Sequence, residues 1–273
     1  MNRRDFMVQS IGASLLAYLS GAGAAATESS GQKQASNRLS ALNPLSEYVK
    51  SYVPPRDIID PSRPQSLTFD VIGWKTNKGR QIVSTPVLGN VTVKRSPLGA
   101  AVEYEVAQHL GNDETMTGCF RCLTDDVHSL VEWQFEYALD SERKNIASMS
   151  RTRQSGRRKG EEIVMVTDES ETVSPSSAPL LCRYGLFDVA SRMARLCEGH
   201  NRFTMLHEPA GLRPEQRFRE DRSGVVGRGE NAPVRTFLQT GPATVPTHWV
   251  VDSQGRPLFV SAFLTSWALR AIS

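Results

Sequence analysis

The chain has little of what usually declares a function. Its 273 residues hold four cysteines, five histidines and only 7% aromatic residues. It contains no GxSxG elbow and no SxxK, so the common serine nucleophiles are not announced. His109, His128, His200, His207 and His248 are scattered, with no HExxH or HxH to pair two of them on a metal. Gly227-Arg228-Gly229 lacks the third glycine and the following helix of a phosphate-cradling loop. A formal net charge of +3 is too small to imply a nucleic-acid or membrane-surface partner. No stretch approaches ~18 consecutive apolar residues, so no stable membrane anchor is expected after processing. These absences lead us to expect no cofactor and no catalytic residue that spacing alone can name.

What is present begins at the N-terminus. Asn2-Arg3-Arg4-Asp5-Phe6-Met7 precedes a short apolar stretch, Ile11 to Leu19, and then a run of small residues with cleavage-compatible Ala22-Gly23-Ala24 and Ala24-Ala25-Ala26. That three-part layout is an export signal. The pair Arg3-Arg4 with Phe6 resembles signals of the twin-arginine (Tat) route, although Asn2, Met7 and Val8 depart from its usual Ser/Thr, Leu and Lys. The resemblance implies the Tat translocase as a partner, export in the folded state and a periplasmic or secreted product. Because such a passenger folds in a reducing compartment, its core is expected to close without disulfides.

We divide the chain into a signal peptide (1–26), a flexible leader with a Pro-rich arm (27–64) and one β-rich domain (65–273). Residues 27–38 are small, polar and aperiodic. Residues 39–50 offer a short amphipathic helix through Leu39, Leu42, Leu45 and Val49, which Pro44 interrupts, and Pro54, Pro55, Pro61 and Pro64 extend the arm. From Leu67 the apolar period becomes two: Leu67, Phe69, Val71; Val102, Tyr104, Val106; Trp133, Phe135, Tyr137, Leu139. Further strands are predicted at 81–84, 90–95, 145–152, 162–167, 202–207, 234–240, 246–251 and 257–265. Asn77-Lys78-Gly79 and Asp252-Ser253-Gln254-Gly255 read as hairpin turns. The basic stretch Arg151 to Lys159, broken by Gly156, reads as a solvated hairpin tip. One segment has the helical period, from Pro179 behind Ser176-Ser177 to Gly199, with Cys182, Leu186, Val189, Ala190, Met193, Leu196 and Cys197 on one face. The expected fold is mainly β: an antiparallel sandwich, or a strongly curved antiparallel sheet, with one packed helix over about 179–197.

The cysteines leave three readings open at Cys119-Phe120-Arg121-Cys122: a local disulfide formed after export, a weak metal or redox site, or plain thiols. A thioredoxin-like role is disfavoured because strand-like sequence surrounds the motif. A helix from 182 to 197 holds Cys182 and Cys197 about 22 Å apart at ~1.5 Å per residue, beyond the ~7 Å a disulfide tolerates, so both are read as buried thiols. His207-Glu208 could be a base and its orienter; a strand end stopped by Pro209 is the preferred reading. His248 beside Trp249 is read as a half-exposed strand histidine.

Three pieces carry a resemblance. They are Leu67–Trp74 with its Lys75–Gly79 turn, Val131-Glu132-Trp133 followed by Leu180–Met193, and the closing run from Pro246 to Leu258 that reads aromatic-x-x-Asp-x-x-Gly-Arg-x-Leu. Their order resembles uncharacterised exported bacterial β-domain families, and the architecture implied is similar to the curved antiparallel sheet of lipoprotein-carrier (Lol-type) proteins. The resemblance supplies no catalytic residues. Functionally we expect a non-catalytic binding or carrier domain for an apolar or lipid-like ligand, with Trp133, Phe135, Tyr137, Leu186 and Met193 as pocket candidates. An envelope interaction module that docks another envelope protein, and a metal- or thiol-dependent enzyme, are the alternatives.

Overall fold

The computed structural model describes residues 45–76, 82–84, 86–111, 114–139, 150–197, 202–226, 232–262 and 265–273. The signal residues Arg3, Arg4 and Phe6, the 27–38 leader, the Asn77-Lys78-Gly79 turn and Gly199 lie outside them.

The period-two runs become strands of one 15-stranded sheet. At its centre is β1 (Gln65–Gly73), whose residues alternate between the two faces. A small hairpin, β2 (Lys75–Thr76) with β3 (Ile82–Ser84), stands apart from the sheet. On one side of β1 runs a meander of β4 (Val87–Leu98), β5 (Ala101–Leu110), β6 (Glu114–Leu123), β7 (Leu130–Leu139), β8 (Ser150–Lys159), β9 (Glu162–Thr167) and β10 (Ser170–Pro175). On its other side lies β17 (Thr265–Ile272), then β16 (Pro257–Ala262), β15 (Thr247–Asp252), β14 (Ala232–Thr240), β13 (Gly211–Val226), β12 (Phe203–His207) and β11 (Leu180–Cys182). Every neighbouring pair is antiparallel except β11 with β12. The expected curved antiparallel sheet with one packed helix is what forms.

The helix is shorter than its periodicity suggested. It consists of α2 (Gly185–Asp188), a 3-10 turn (Val189–Arg192) and α3 (Met193–Cys197). Leu180, Leu181 and Cys182 are all buried and pair in parallel with Thr204–Leu206. A short fully buried strand is apolar on both faces, and beside a helix it mimics one more turn of that helix. Cys182 therefore sits on a strand, and the 22 Å helix argument for its distance from Cys197 loses its premise; even so, no disulfide links the four cysteines.

The sheet curls until its halves meet. The β12–β13 hairpin runs past the end of β14, because Gly211–Gln216 face β12 while Arg217 onward face β14. Its tip reaches the other half: the Gln154 side-chain amide on β8 donates to the Pro209 carbonyl at 3.2 Å. A Cβ placed at Gly211 would lie 3.6 Å from the Met165 methyl on β9. Inside, Phe69, Phe135, Tyr184, Phe187, Trp249 and Leu186 are all under 2% exposed. Two inward rings lie over glycines of the adjacent strand: a Cβ at Gly156 would overlap Trp133, and one at Gly118 would overlap Phe135. This explains Gly156 within the basic stretch. That stretch is the body of β8, paired on both sides, and not a hairpin tip. Arg153 and Arg157 face outward opposite glutamates, Arg157 across from Glu132 and Arg153 across from Glu136.

The opposite face of β1, β16 and β17 is covered by the segment before β1. Helix α1 (Ser46–Ser51) begins just past Pro44. Tyr52 packs on Phe259 with centroids 4.5 Å apart and donates its hydroxyl to the Leu269 carbonyl at 2.7 Å. Arg256 then holds the carbonyls of Pro55 and Asp57, while Arg95 holds those of Asp60 and Arg63. The Asp252–Gly255 turn forms as expected: Asp252 Oδ1 accepts from the amides of Gln254 and Arg256, and Gly255 adopts φ +80°. Among the described residues, no helix is long and apolar enough to cross a membrane.

Candidate functional site

Two polar clusters flank α2 inside the sheet. One stands over Tyr104 and the other over Gln108, about 13 Å apart along β5 at ~3.3 Å per residue.

The first cluster centres on Asp188, the last residue of α2. Arg95 on β4 donates to Asp188 Oδ1 at 2.5 Å, and the Tyr104 hydroxyl donates to Oδ2 at 2.8 Å. With the Tyr104 proton committed to Asp188, His128 Nδ1, 2.5 Å from the same hydroxyl oxygen, must carry a proton and donate to it. Burial lowers the His128 pKa against the pull of Asp188, and burial beside Asp188 pushes Tyr104 far up. Arg95 also donates to Gln65 Oε1 at 3.1 Å. Apart from Arg95 Nε, each named atom has a partner. Tyr104 is therefore held as a hydroxyl, and His128 is biased toward its neutral form. The cluster ties the helix, β4, β5 and the arm into one unit.

The second cluster gathers around Arg183, in the turn between β11 and α2. Its guanidinium stacks over Tyr184 at 4.8 Å and Trp267 at 5.5 Å. It donates to the Tyr184 hydroxyl at 2.9 Å, which donates on to Gln108 Oε1 at 3.3 Å. Glu208, just past β12, is 2% exposed and accepts from the Cys182 thiol at 3.0 Å. Arg183 Nε lies 3.5 Å from Glu208 Oε2, near enough for an ion pair, yet the two are misaligned and neither has a hydrogen bond. His207 Nδ1, the Tyr137 hydroxyl, Gln154 Oε1 and Trp267 Nε1 are also buried without partners. An orphaned buried polar atom costs about 1–3 kcal/mol, and natural interiors hold few of them. Five of the six here belong to Arg183 itself and to Glu208, His207, Tyr137 and Trp267, which contact it or act on the same groups; the sixth, Gln154 Oε1, is on the amide that meets Pro209 beside Glu208.

Burial also sets the protonation here. It raises Glu208, with Arg183 only partly opposing, and lowers His207 to about 3, helped by Arg183 and Arg213. Burial, then Glu208, pushes the Cys182 thiol well up, so it is a hydrogen-bond donor and a poor nucleophile.

The expected pocket residues divide. Trp133, Phe135, Leu186 and Met193 are 3% exposed or less and belong to the continuous core. Tyr137 is half-buried and borders the Arg183 cluster, since Glu208, Tyr184 and Arg183 all act on its hydroxyl. Cys119 and Cys122 are three apart on β6 and face opposite sides, Cys119 exposed and Cys122 buried. That geometry rules out the local disulfide and a joint metal site for the pair. Among the described residues, no three His, Cys, Asp or Glu side chains converge on a metal-sized site. His109 is exposed and His248 half-buried, as strand histidines, and His200 lies outside the described residues. Two hollows of about 540 and 550 Å³ lie on the outer face of β4–β9. Their rims are exposed ion pairs such as Lys94–Glu105 and Arg121–Glu132, which are mutually satisfied and of small energetic weight.

The sequence signalled this cluster only at His207-Glu208, and the strand-end reading of that pair is correct for His207. What it missed is the complete burial of Glu208 and its approach to Arg183, both set by the β12–β13 hairpin folding across β8.

No known family matches the chain, and no curated protein matches it. Two solved structures of the dehydratase domain from the CurK module of curacin polyketide synthase, one an inactive mutant, align at 8% and 9% identity over 77% of this chain and 74% of theirs. Both TM-scores are 0.13, a likeness that carries no argument.

Proposed function

We propose that the mature chain is a non-catalytic binding or carrier module of the periplasm or extracellular space, exported by the Tat translocase and taking a lipid-like ligand beside Arg183. The observation that supports this reading is the concentration of unpartnered polar atoms around a half-buried guanidinium at the edge of an apolar interior. Such groups are paired by a guest at a binding site, and apolar walls with a few convergent polar groups are what small-molecule sites are made of. The partly buried Tyr137, Leu110, Met165 and Leu212 offer apolar surface next to the core. The enzyme alternative is weaker because the cluster's one thiol is held protonated. Folded export agrees with a core whose cysteines stay unbridged.

The test is native mass spectrometry of protein recovered from its exported location, together with Trp fluorescence titrations using medium-chain amphiphiles. A bound small molecule, or saturable quenching, is the expected result. Ligand-free protein that is also silent to every amphiphile would end the carrier reading. For the address, replacing Arg3 and Arg4 by lysine should leave uncleaved precursor inside the cell; normal export would exclude the Tat route.

A further inference from the structure

The orphaned atoms also carry chemical information about the guest. Three of them are donors: Arg183 Nε–H, Trp267 Nε1–H and the Tyr137 hydroxyl. Two are acceptors, Glu208 Oε2 and Gln154 Oε1, and His207 Nδ1 is a further donor, because neutral His207 accepts from Arg183 on Nε2. Arg183 is held in a fixed orientation. Its plane is fixed between Tyr184 and Trp267, one terminal nitrogen is committed to Tyr184, and the other lies 3.5 Å from His207 Nε2. A second cation, Arg213 on β13, stands close enough to act on His207. Two guanidinium groups against one carboxylate leave the cluster cationic by a single charge even with Glu208 ionised.

We infer that the Arg183 cluster binds the carboxylate of an amphiphile, so that the ligand class is a monocarboxylic acid on an apolar chain. This rests on the binding-module reading above. A carboxylate offers two oxygens to the orphaned donors and one negative charge to the one uncompensated cation. A phosphate monoester carries nearly twice that charge and would meet Glu208, which has no cation to spare. A neutral alcohol leaves most of the donors unpaired and the charge unmatched. The acceptors are Glu208 and Gln154, whose amide meets the Pro209 carbonyl next to Glu208, and they suit a bridging water or a ligand hydroxyl. Tyr184 and Cys182, already committed to Gln108 and Glu208, take no part.

The experiment compares decanoate with 1-decanol at neutral pH by calorimetric or fluorescence titration, in wild type, Arg183→Met and Tyr137→Phe. Wild type should prefer decanoate by about 10- to 100-fold, the scale of a charge-assisted hydrogen bond in a partly dry site. Arg183→Met should lose that preference and keep its affinity for decanol. Tyr137→Phe, which removes only a hydroxyl and guards against a misfolded Arg183 variant, should lower decanoate affinity several-fold and leave decanol unchanged. Equal binding of acid and alcohol by wild type would overturn the carboxylate assignment while the binding module stands. A Tyr137→Phe variant that keeps the full preference would also overturn it. Failure of wild type to bind either compound would remove the binding module and the assignment together.

Discussion

Asp188 and Glu208 are both buried carboxylates beside an arginine, and their surroundings differ in every other respect. Asp188 receives Arg95 at 2.5 Å and Tyr104 at 2.8 Å, and its arginine is shared with Gln65 and with arm carbonyls. Glu208 has a thiol on one oxygen and, on the other, only a misaligned arginine at 3.5 Å. A buried ion pair contributes to stability only when geometry and further hydrogen bonds offset the desolvation of both charges. The Asp188 cluster meets that condition and the Glu208 cluster does not. The contrast separates a cluster that holds the fold together from one whose pairing offsets less of its desolvation, and the binding proposal rests on that difference.

The largest expected effect lies at the satisfied cluster. Asp188→Ala leaves Arg95 charged and buried without its partner, and should destabilise the protein by about 3–5 kcal/mol in urea unfolding. It should also loosen residues 57–64, read as faster proteolysis or hydrogen exchange of the arm. A loss below about 1 kcal/mol would erase the contrast. The reciprocal change, Arg183→Met, sets an apolar side chain against Tyr184 and Trp267, whose rings the guanidinium covers, and should cost no more than about 1–2 kcal/mol.

Acid should act on the second cluster through His207. Its folded pKa, about 3, is depressed from 6.5 by burial and by Arg183 and Arg213. Its contribution to stability is therefore complete above pH 6.5 and is lost as pH falls from there toward 3. Glu208 runs the other way: its raised pKa contributes stability that is complete below 4.5 and is lost as pH rises through its folded value. Between pH 6.5 and 5, His207→Gln should flatten the fall in unfolding free energy, read by urea denaturation, by up to about 1.4 kcal/mol per pH unit. An unchanged slope would show that His207 is not held neutral by the fold.

The smallest effect concerns the thiols, and it tests whether the core closes without bridges. Denatured, unreduced protein should titrate four thiols, and native protein should show one fast-reacting thiol at exposed Cys119. Fewer than four would mean a disulfide that the opposite-facing Cys119 and Cys122 cannot make with each other.

The meander was legible because one sheet face meets the core and the other meets water. Trp133, Phe135 and Tyr137 against Glu132, Gln134 and Glu136 could be nothing but a half-buried strand. The basic stretch on β8 misled because its inward positions are Gln154, Gly156 and Arg158, with no apolar residue to mark a buried face. The glycine there makes room for a ring on the neighbouring strand, a tertiary fact no local pattern encodes. Leu180–Cys182 misled for the opposite reason: apolar on every position, it carries no period at all. The candidate site was the least legible part. Arg183, Glu208, Tyr137 and Trp267 come from four distant segments, and only the curl of the sheet brings them together.

The claim at the centre of this account is that Glu208 serves a ligand and not the fold. Equilibrium urea unfolding of Glu208→Gln beside wild type at neutral pH tests it most directly. The replacement keeps the shape and the acceptor for Cys182 while removing a poorly paired buried carboxyl group. Glu208→Gln should be as stable as wild type or more stable by up to about 1 kcal/mol. A loss of more than about 2 kcal/mol would place Glu208 with Asp188 among the residues that hold the sheet closed, and would contradict it.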